Sequence, residues 1–254
     1  MKYRNLIVSF LFVLVTIGYT NAQTDTTAIK TKSVETDNYV PQSDFRTVRL
    51  GIFGTIGSSW MKPKTTGYES QGSKLAYSYG LLVDYNFTEN YTFSSGVSFN
   101  SLGGNLSYQD SAIVSGNTKA IGTLNRSYRI NFIEIPTLLK LKTNQMGYFT
   151  YFAQLGLRHN FRVSSFADDN FIYDNPSKTL TSEDQEMKEY TSFYRLSFSF
   201  ALGAEYALSQ TFSAYASLGF DNGLTNGLGN KNSITGDKES AFIKKISLTA
   251  GFLF

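Results

Sequence analysis

From Thr47 onward, apolar and polar side chains alternate with a period of two along eight stretches of the chain. That period marks strands with one apolar and one polar face. In the first stretch, Thr47 to Ser58, Val48, Leu50, Ile52 and Ile56 oppose Arg49, Gly51, Phe53 and Thr55. The second, Leu75 to Phe87, sets Tyr77, Tyr79, Leu81, Val83, Tyr85 and Phe87 against Ser78, Gly80, Asp84 and Asn86, with Leu82 out of place. The third runs from Tyr91 to about Tyr108, with Tyr91, Phe93, Val97 and Phe99 opposite Thr92, Ser94, Gly96, Ser98 and Asn100. The fourth, about Asn125 to Lys142, is the least regular. Ile133, Ile135, Leu139 and Leu141 oppose Glu134, Pro136 and Lys140, whereas Tyr128 and Ile130 fall out of phase, so a bulge is expected nearby. The fifth, Tyr148 to Ser164, opposes Tyr151, Leu155, Leu157 and Phe161 to Gln154, Gly156, Arg158, Asn160 and Arg162. The sixth alternates from Tyr194 to Leu208 around Arg195, Ser197, Ser199, Gly203 and Glu205. The seventh spans Thr211 to about Asp221. In the last, Ile246, Leu248, Ala250, Phe252 and Phe254 oppose Lys245, Ser247, Thr249 and Gly251.

The connections between these stretches run long, short, long, short, long, short, long. That rhythm, with strands of about 11 to 18 residues, predicts an all-β fold: an eight-stranded antiparallel transmembrane β-barrel of the outer-membrane type. The apolar faces then meet lipid and the polar faces line the inside. An even strand count puts both chain ends in the periplasm and the long loops outside the cell. Gly51, Gly80, Gly96, Gly156, Gly203, Gly219 and Gly251 fall on the inner face, where a narrow barrel is crowded. A soluble barrel or sandwich would point the apolar faces inward, and that aromatic volume exceeds what an eight-stranded interior packs.

Composition extends this picture. Aromatics make up 15% of the 254 residues, with 17 Tyr and 21 Phe against a single Trp, as suits strands with aromatic girdles. A formal charge of +3 is too small to imply nucleic acid as a partner. The absence of Cys excludes a disulfide framework and a thiol nucleophile. Residues 1–22 read as a signal peptide: Lys2 and Arg4, an apolar core from Leu6 to Ile17, then small residues at Thr20 to Ala22. The core is shorter than the roughly 20 residues of a spanning helix. Residues 23–44 read as a flexible periplasmic leader and 45–254 as the barrel domain.

Three stretches resemble a known family: Gly57 to Pro63 (GSSWMKP), Tyr85 to Tyr91 (YNFTENY) and Asn131 to Lys140 (NFIEIPTLLK). They are similar to the PorT-like, "porin family" outer-membrane β-barrels of the Bacteroidota, over about Leu50 to Phe254. The resemblance implies an outer-membrane barrel of about eight strands, and, through the family's namesake, an association with secretion. The closing Phe252 and Phe254 resemble the signal by which such barrels are recognised for insertion, which implies the barrel assembly machinery as a partner.

The inward charges are Arg49, Asp84, Glu134, Lys140, Arg158, Arg162, Arg195, Glu205 and Lys245. They are expected to pair and rigidify a small lumen, because eight strands enclose an interior that side chains nearly fill. His159, the single histidine, falls on the outward face. No Ser stands two positions away and no acid on its face orients it, so a catalytic task is not expected. Asp168, Asp169, Asp174, Glu183, Asp184, Glu186 and Glu189 fall in one long acidic loop, expected to be solvated. Trp60 is expected to anchor the first strand at the membrane interface. No phosphate loop, metal spacing or cofactor motif stands out. The expectation is a non-enzymatic outer-membrane protein with a structural or interaction role, in contact with lipid, lipopolysaccharide and an envelope or secretion-system protein. A narrow channel and a lipid-modifying enzyme are the alternatives.

Overall fold

The computed structural model describes residues 45–254 apart from 116–117, 174–177, 230, 233 and 237. The signal peptide and leader inferred for residues 1–44 lie outside the described residues. The strands are β1 (Val48–Pro63), β2 (Tyr68–Ser70), β3 (Ser73–Asn86), β4 (Tyr91–Ser115), β5 (Thr118–Lys142), β6 (Phe149–Tyr173), β7 (Thr179–Glu186), β8 (Tyr194–Ala207), β9 (Ser213–Gly223) and β10 (Ala241–Leu253). Eight of them, β1-β3-β4-β5-β6-β8-β9-β10, pair antiparallel in sequence and close on themselves. Closure is made by β10 on β1, and Phe254 and Leu50 exchange backbone hydrogen bonds of 2.8 and 3.0 Å at its end. A closed ring leaves no strand edge within the band that faces lipid.

Burial follows the alternation. On β3, Leu75, Tyr77, Tyr79, Leu81, Val83 and Tyr85 are exposed, while Ala76, Ser78, Leu82, Asp84 and Asn86 are buried inside. On β10, Ile246, Leu248 and Phe252 are exposed, and Lys245 and Ser247 are buried. Apolar side chains outside and polar ones inside reverse the arrangement of a water-soluble protein. Lipid on the outside makes that arrangement favourable. Gly96 and Gly156 take φ of 156° and 154°, and a Cβ there would run into the carbonyl oxygens of Leu81 and Thr137 on the neighbouring strands.

One end of the barrel carries the short connections: 87–90, 143–148 and 208–212, beside the entry at Phe45 and the terminal Phe254. This is the turn end. The opposite, hairpin end departs from the loops expected there. Each of β4, β5 and β6 is 25 residues long, against the 9–11 needed for one crossing. The stretch expected to be a loop up to Gly122 is a continuous hairpin of β4 and β5. The stretch expected to be an acidic loop from Ser165 to Glu189 is the far half of β6 with β7 folded back on it, then a single 3-10 turn at Lys188–Tyr190. β2 pairs with β4 on the other side.

The bulge is also displaced. β5 keeps one phase throughout, with Tyr128, Ile130, Phe132, Glu134, Leu138 and Lys140 all buried. The extra residue is Val163 on the partner strand: Asn131 pairs with Ser164 and Phe132 with Arg162. Tyr128 and Ile130 therefore share the inner face with Glu134. What changes along β5 is the surroundings: beyond Asn131 the outer face meets water, so the inner face becomes apolar.

Candidate functional site

Two tiers fill the inside of the barrel. The tier at lipid height is mainly polar, beside a small apolar cluster of Leu82, Phe152, Tyr215 and Leu253. Arg49 of β1 reaches Glu205 of β8 at 2.8 Å and donates to the Ser213 hydroxyl at 2.9 Å. Lys140 of β5 lies between Asp84 of β3 at 2.5 Å and Glu205 at 3.3 Å. Asp84 also accepts from Ser94. A second group stands nearer the hairpin end. Arg158 of β6 contacts Glu134 at 2.5 Å and Asp221 of β9 at 3.2 Å, and Asp221 meets Lys245 of β10 at 2.9 Å. Glu134 further accepts from Asn100 at 2.8 Å, and Arg158 donates to Ser199 at 2.9 Å. Arg49–Glu205, Lys140–Asp84, Lys140–Glu205 and Arg158–Asp221 link strands that are not neighbours in the sheet, whereas Arg158–Glu134 and Lys245–Asp221 join adjacent strands. All of these charged groups but the half-buried Arg158 are almost fully buried, and pairing plus hydrogen bonding offsets their desolvation.

Of the expected inward charges, the structure brings together Arg49, Asp84, Glu134, Lys140, Arg158, Glu205 and Lys245. Asp221 belongs with them although the sequence reading had ended the seventh strand there. Its odd number continues the inner face of Ser213, Tyr215, Ser217 and Gly219, and that parity was the available signal. Arg195 is buried but has no carboxylate within ion-pair distance among the described residues. It donates to the Ile243 carbonyl at 2.9 Å. Arg162 stands apart from the lumen group, a correction to the expectation. The Val163 bulge lies beside it, and its guanidinium donates to the carbonyls of Lys188 and Thr191 and to the Thr191 hydroxyl.

Between the two charge groups lies a cavity of about 40 Å³, bordered by Lys140, Arg158, Tyr215 and Asp221. That volume has room for a few waters. A wider vestibule of about 460 Å³ opens at the turn end, with Arg49 and Glu205 on its wall.

The tier above, toward the hairpin end, is apolar. Met61, Leu102, Leu106, Tyr108, Tyr128, Ile130, Phe132, Phe171, Leu228 and Ile243 form one buried cluster. Described residues of the connection between β9 and β10 pack on it. Leu228 and Asn232 point in, and backbone bonds tie Gly227 to Ala241 and Gly229 to Tyr190. Met61 is thus a core residue, while its neighbour Trp60 is only half-buried. One acid enters this tier. Glu239 is 1% exposed; its Oε1 accepts from the Tyr68 hydroxyl at 2.9 Å, and its Oε2 has no partner. Burial raises its pKa above the ordinary carboxylate value, against the hydrogen bond from Tyr68 and the charge of Arg126. Burial likewise raises the Tyr128 phenol to about 12.

His159 faces outward, in hydrogen-bond reach of the Tyr194 hydroxyl at 2.8 Å and of Thr137 at 3.3 Å. Among the described residues, no group of three His, Cys, Asp or Glu is placed to hold a metal ion.

A family model described as "Outer membrane protein beta-barrel domain" matches residues 20–230. No curated protein matches. Among solved structures, Neisserial surface protein A is 10% identical, with a TM-score of 0.40 over 82% of this chain and 96% of that one. Ail, the attachment invasion locus protein of Yersinia pestis, is 12% identical, with a TM-score of 0.33 over 83% and 100%. OprG from Pseudomonas aeruginosa is 14% identical, with a TM-score of 0.31 over 80% and 94%.

Proposed function

The chain belongs to the outer membrane protein beta-barrel domain family, and from that premise we propose that it is a non-conducting, non-enzymatic barrel with a structural or interaction role in the envelope. The observation that carries this reading is the doubly filled interior. At lipid height, ion pairs between non-neighbouring strands leave a cavity of about 40 Å³. Above it lies an apolar cluster that Leu228 of the β9–β10 connection joins, held by backbone bonds at Gly227 and Gly229. A solute would have to displace both.

In this reading the turn end and both chain ends face the periplasm. The hairpin end, with its long connections and extended sheet, faces outward as the surface offered for contact. Phe254, exposed and hydrogen-bonded to Leu50 at the closing seam, serves with Phe252 as the recognition point for assembly. Among interaction roles, an accessory to secretion is the one the family resemblance implies.

Conductance of the purified full chain in planar bilayers tests the reading. The expected trace stays at the lipid baseline at physiological salt. Sustained unitary openings would assign the protein to the channels instead.

A further inference from the structure

The part of the sheet beyond lipid height has an outward face that the barrel does not use. A cleft of about 650 Å³ crosses it, running over β4, β5, β6 and β7 with Gln71 at one side. That volume lies within the range of small-ligand sites, roughly 300–1,000 Å³. On β5 the outward positions pass from Ile135 and Ile133 at lipid height to Arg129, Ser127 and Asn125 in the cleft. Strand register sets amides and hydroxyls side by side: Asn125 stands opposite Asn170, and Ser127 stands between Asn105 and Asp168.

The charges of this cleft are largely engaged with one another. On the inner-face side of its floor, Arg126 makes a two-pronged pair with Asp169, both contacts at 2.6 Å. Arg129 pairs with Asp184, and Asp168 accepts from the Asp184 backbone N–H at 2.9 Å. Both arginines are therefore occupied. With Glu183 the carboxylates outnumber them, so the cleft is net negative and unsuited to phosphate or sulfate. Leu106 beside it has its side chain buried in the core, so the cleft offers a peptide's side chains no apolar anchor. The neighbouring edge of β7 is a poor template for strand addition. It carries a bulge at Glu183–Asp184, with Asp184 at φ 50°. What remains for a ligand is a set of short, planar or hydroxylic groups: Asn125, Asn170, Thr181, Gln71 and the Glu183 carboxylate. Each offers donors or acceptors that match neighbouring hydroxyls on a sugar ring.

We infer that this cleft binds a neutral, hydroxyl-rich glycan. The inference rests on the reading of the hairpin end as the outward contact surface. Such a glycan could come from a free polysaccharide or from the sugar chain of an outer-leaflet glycolipid, and the chemistry is shared.

The test uses the full chain in nanodiscs of synthetic phospholipid without glycolipid. These are applied to an array of neutral oligosaccharides, sulfated and phosphorylated oligosaccharides and basic peptides. The neutral set includes both free-polysaccharide fragments and lipid-released sugar chains, so the tighter class names the source. Neutral glycans should be retained. The double substitution Asn125→Leu with Asn170→Leu should weaken retention at least tenfold while gel mobility before and after heating stays that of a folded barrel. Asn144→Leu, at the turn end, should change nothing. Three results would each overturn the inference: no neutral glycan retained, the double variant binding like the parent, or retention of acidic glycans or peptides alone. A baseline conductance trace beside absent glycan binding would sink the cleft and leave the proposed function standing. Open channels with neutral glycan retained would do the reverse.

Discussion

The lower and upper tiers of this barrel are built from the same strands and yet have opposite interiors. On β5 the inner face carries Tyr128, Ile130 and Phe132, then Glu134 and Lys140. The outer face of the same strand carries Arg129 and Asn131, then Ile133 and Ile135. Neither face has an intrinsic character. Where lipid surrounds the ring, apolar groups gain nothing by leaving the outside, and the interior is left to charges that must satisfy one another. Where water surrounds it, the hydrophobic effect fills the interior instead. The crossover falls near Asn131, within a single unbroken strand, and marks the limit of the lipid band toward the hairpin end.

The strongest test of this comparison moves lower-tier chemistry into the upper tier. Ile130 is fully buried in the apolar cluster. Ile130→Glu should cost about 5 kcal/mol or more, or prevent folding, because the new acid has no partner and must be buried neutral and under-bonded. Asn131→Glu, one residue on and facing outward, should cost within about 0.5 kcal/mol. Unfolding in detergent and heat-dependent gel mobility would read both. Equal effects would show that the upper tier is not a dry core.

A smaller effect comes from breaking the lower tier where it has fewest alternatives. Asp221 is the ion-pair partner of Lys245, and one of two for Arg158. Asp221→Leu strands a buried ammonium, at about 3–5 kcal/mol if the site is dry, with less where lumen water reaches it. Glu134→Leu should cost less, since Arg158 keeps Asp221. Leu155→Val on the lipid side should cost less than either, at most about 1.5 kcal/mol. If Asp221→Leu proves as mild as Leu155→Val, the lumen charges are independent solvated groups and not a network.

How much of this was legible in the chain follows from the same contrast. The eight strands and their lipid faces could be read because alternation at lipid height puts apolar and polar residues on opposite sides, as on β10 from Lys245 to Phe252. Beyond that height the two sides exchange roles without any break in the backbone. Read with one rule, Tyr128 and Ile130 look like a slip of register, although the strand keeps its phase. The polar stretches after Tyr108 and Ser164 look like loops, although long hairpins carry them. That Glu134 meets an arginine of the neighbouring strand follows from parity, but the further tie of Arg158 to Asp221 could not be read. It joins β6 to β9, which are not neighbours, and alternation along a strand sets parity without setting height. Glu239 sits in a connection rich in Gly and Asn, where nothing local distinguishes a buried acid from a solvated one.

The last and smallest effect separates the tiers by pH. Glu239 belongs to the upper tier and is held neutral more readily than an ordinary glutamate, chiefly by burial, with Asp110 of β4 acting in the same direction. The hydrogen bond from Tyr68 of β2 and the charge of Arg126 of β5 oppose this without reversing it. The phenols of Tyr108 and Tyr128 ionise only in strongly alkaline solution and stay neutral in the working range. With the folded pKa above the unfolded one, the packed form binds more protons than the unfolded form. Its contribution to stability is complete below the unfolded value near 4.5 and is lost as pH rises through the folded value. Backbone hydrogen exchange in the 226–241 segment should therefore quicken from acidic to mildly alkaline pH, beyond the intrinsic rise in exchange rate. The β10 segment from Lys245 onward should not share that excess. Glu239→Gln keeps an acceptor for Tyr68, removes the titration and should abolish the excess. Should the parent and Glu239→Gln show the same pH profile, Glu239 does not couple the closure of the upper tier to protons, and the two tiers respond to pH alike.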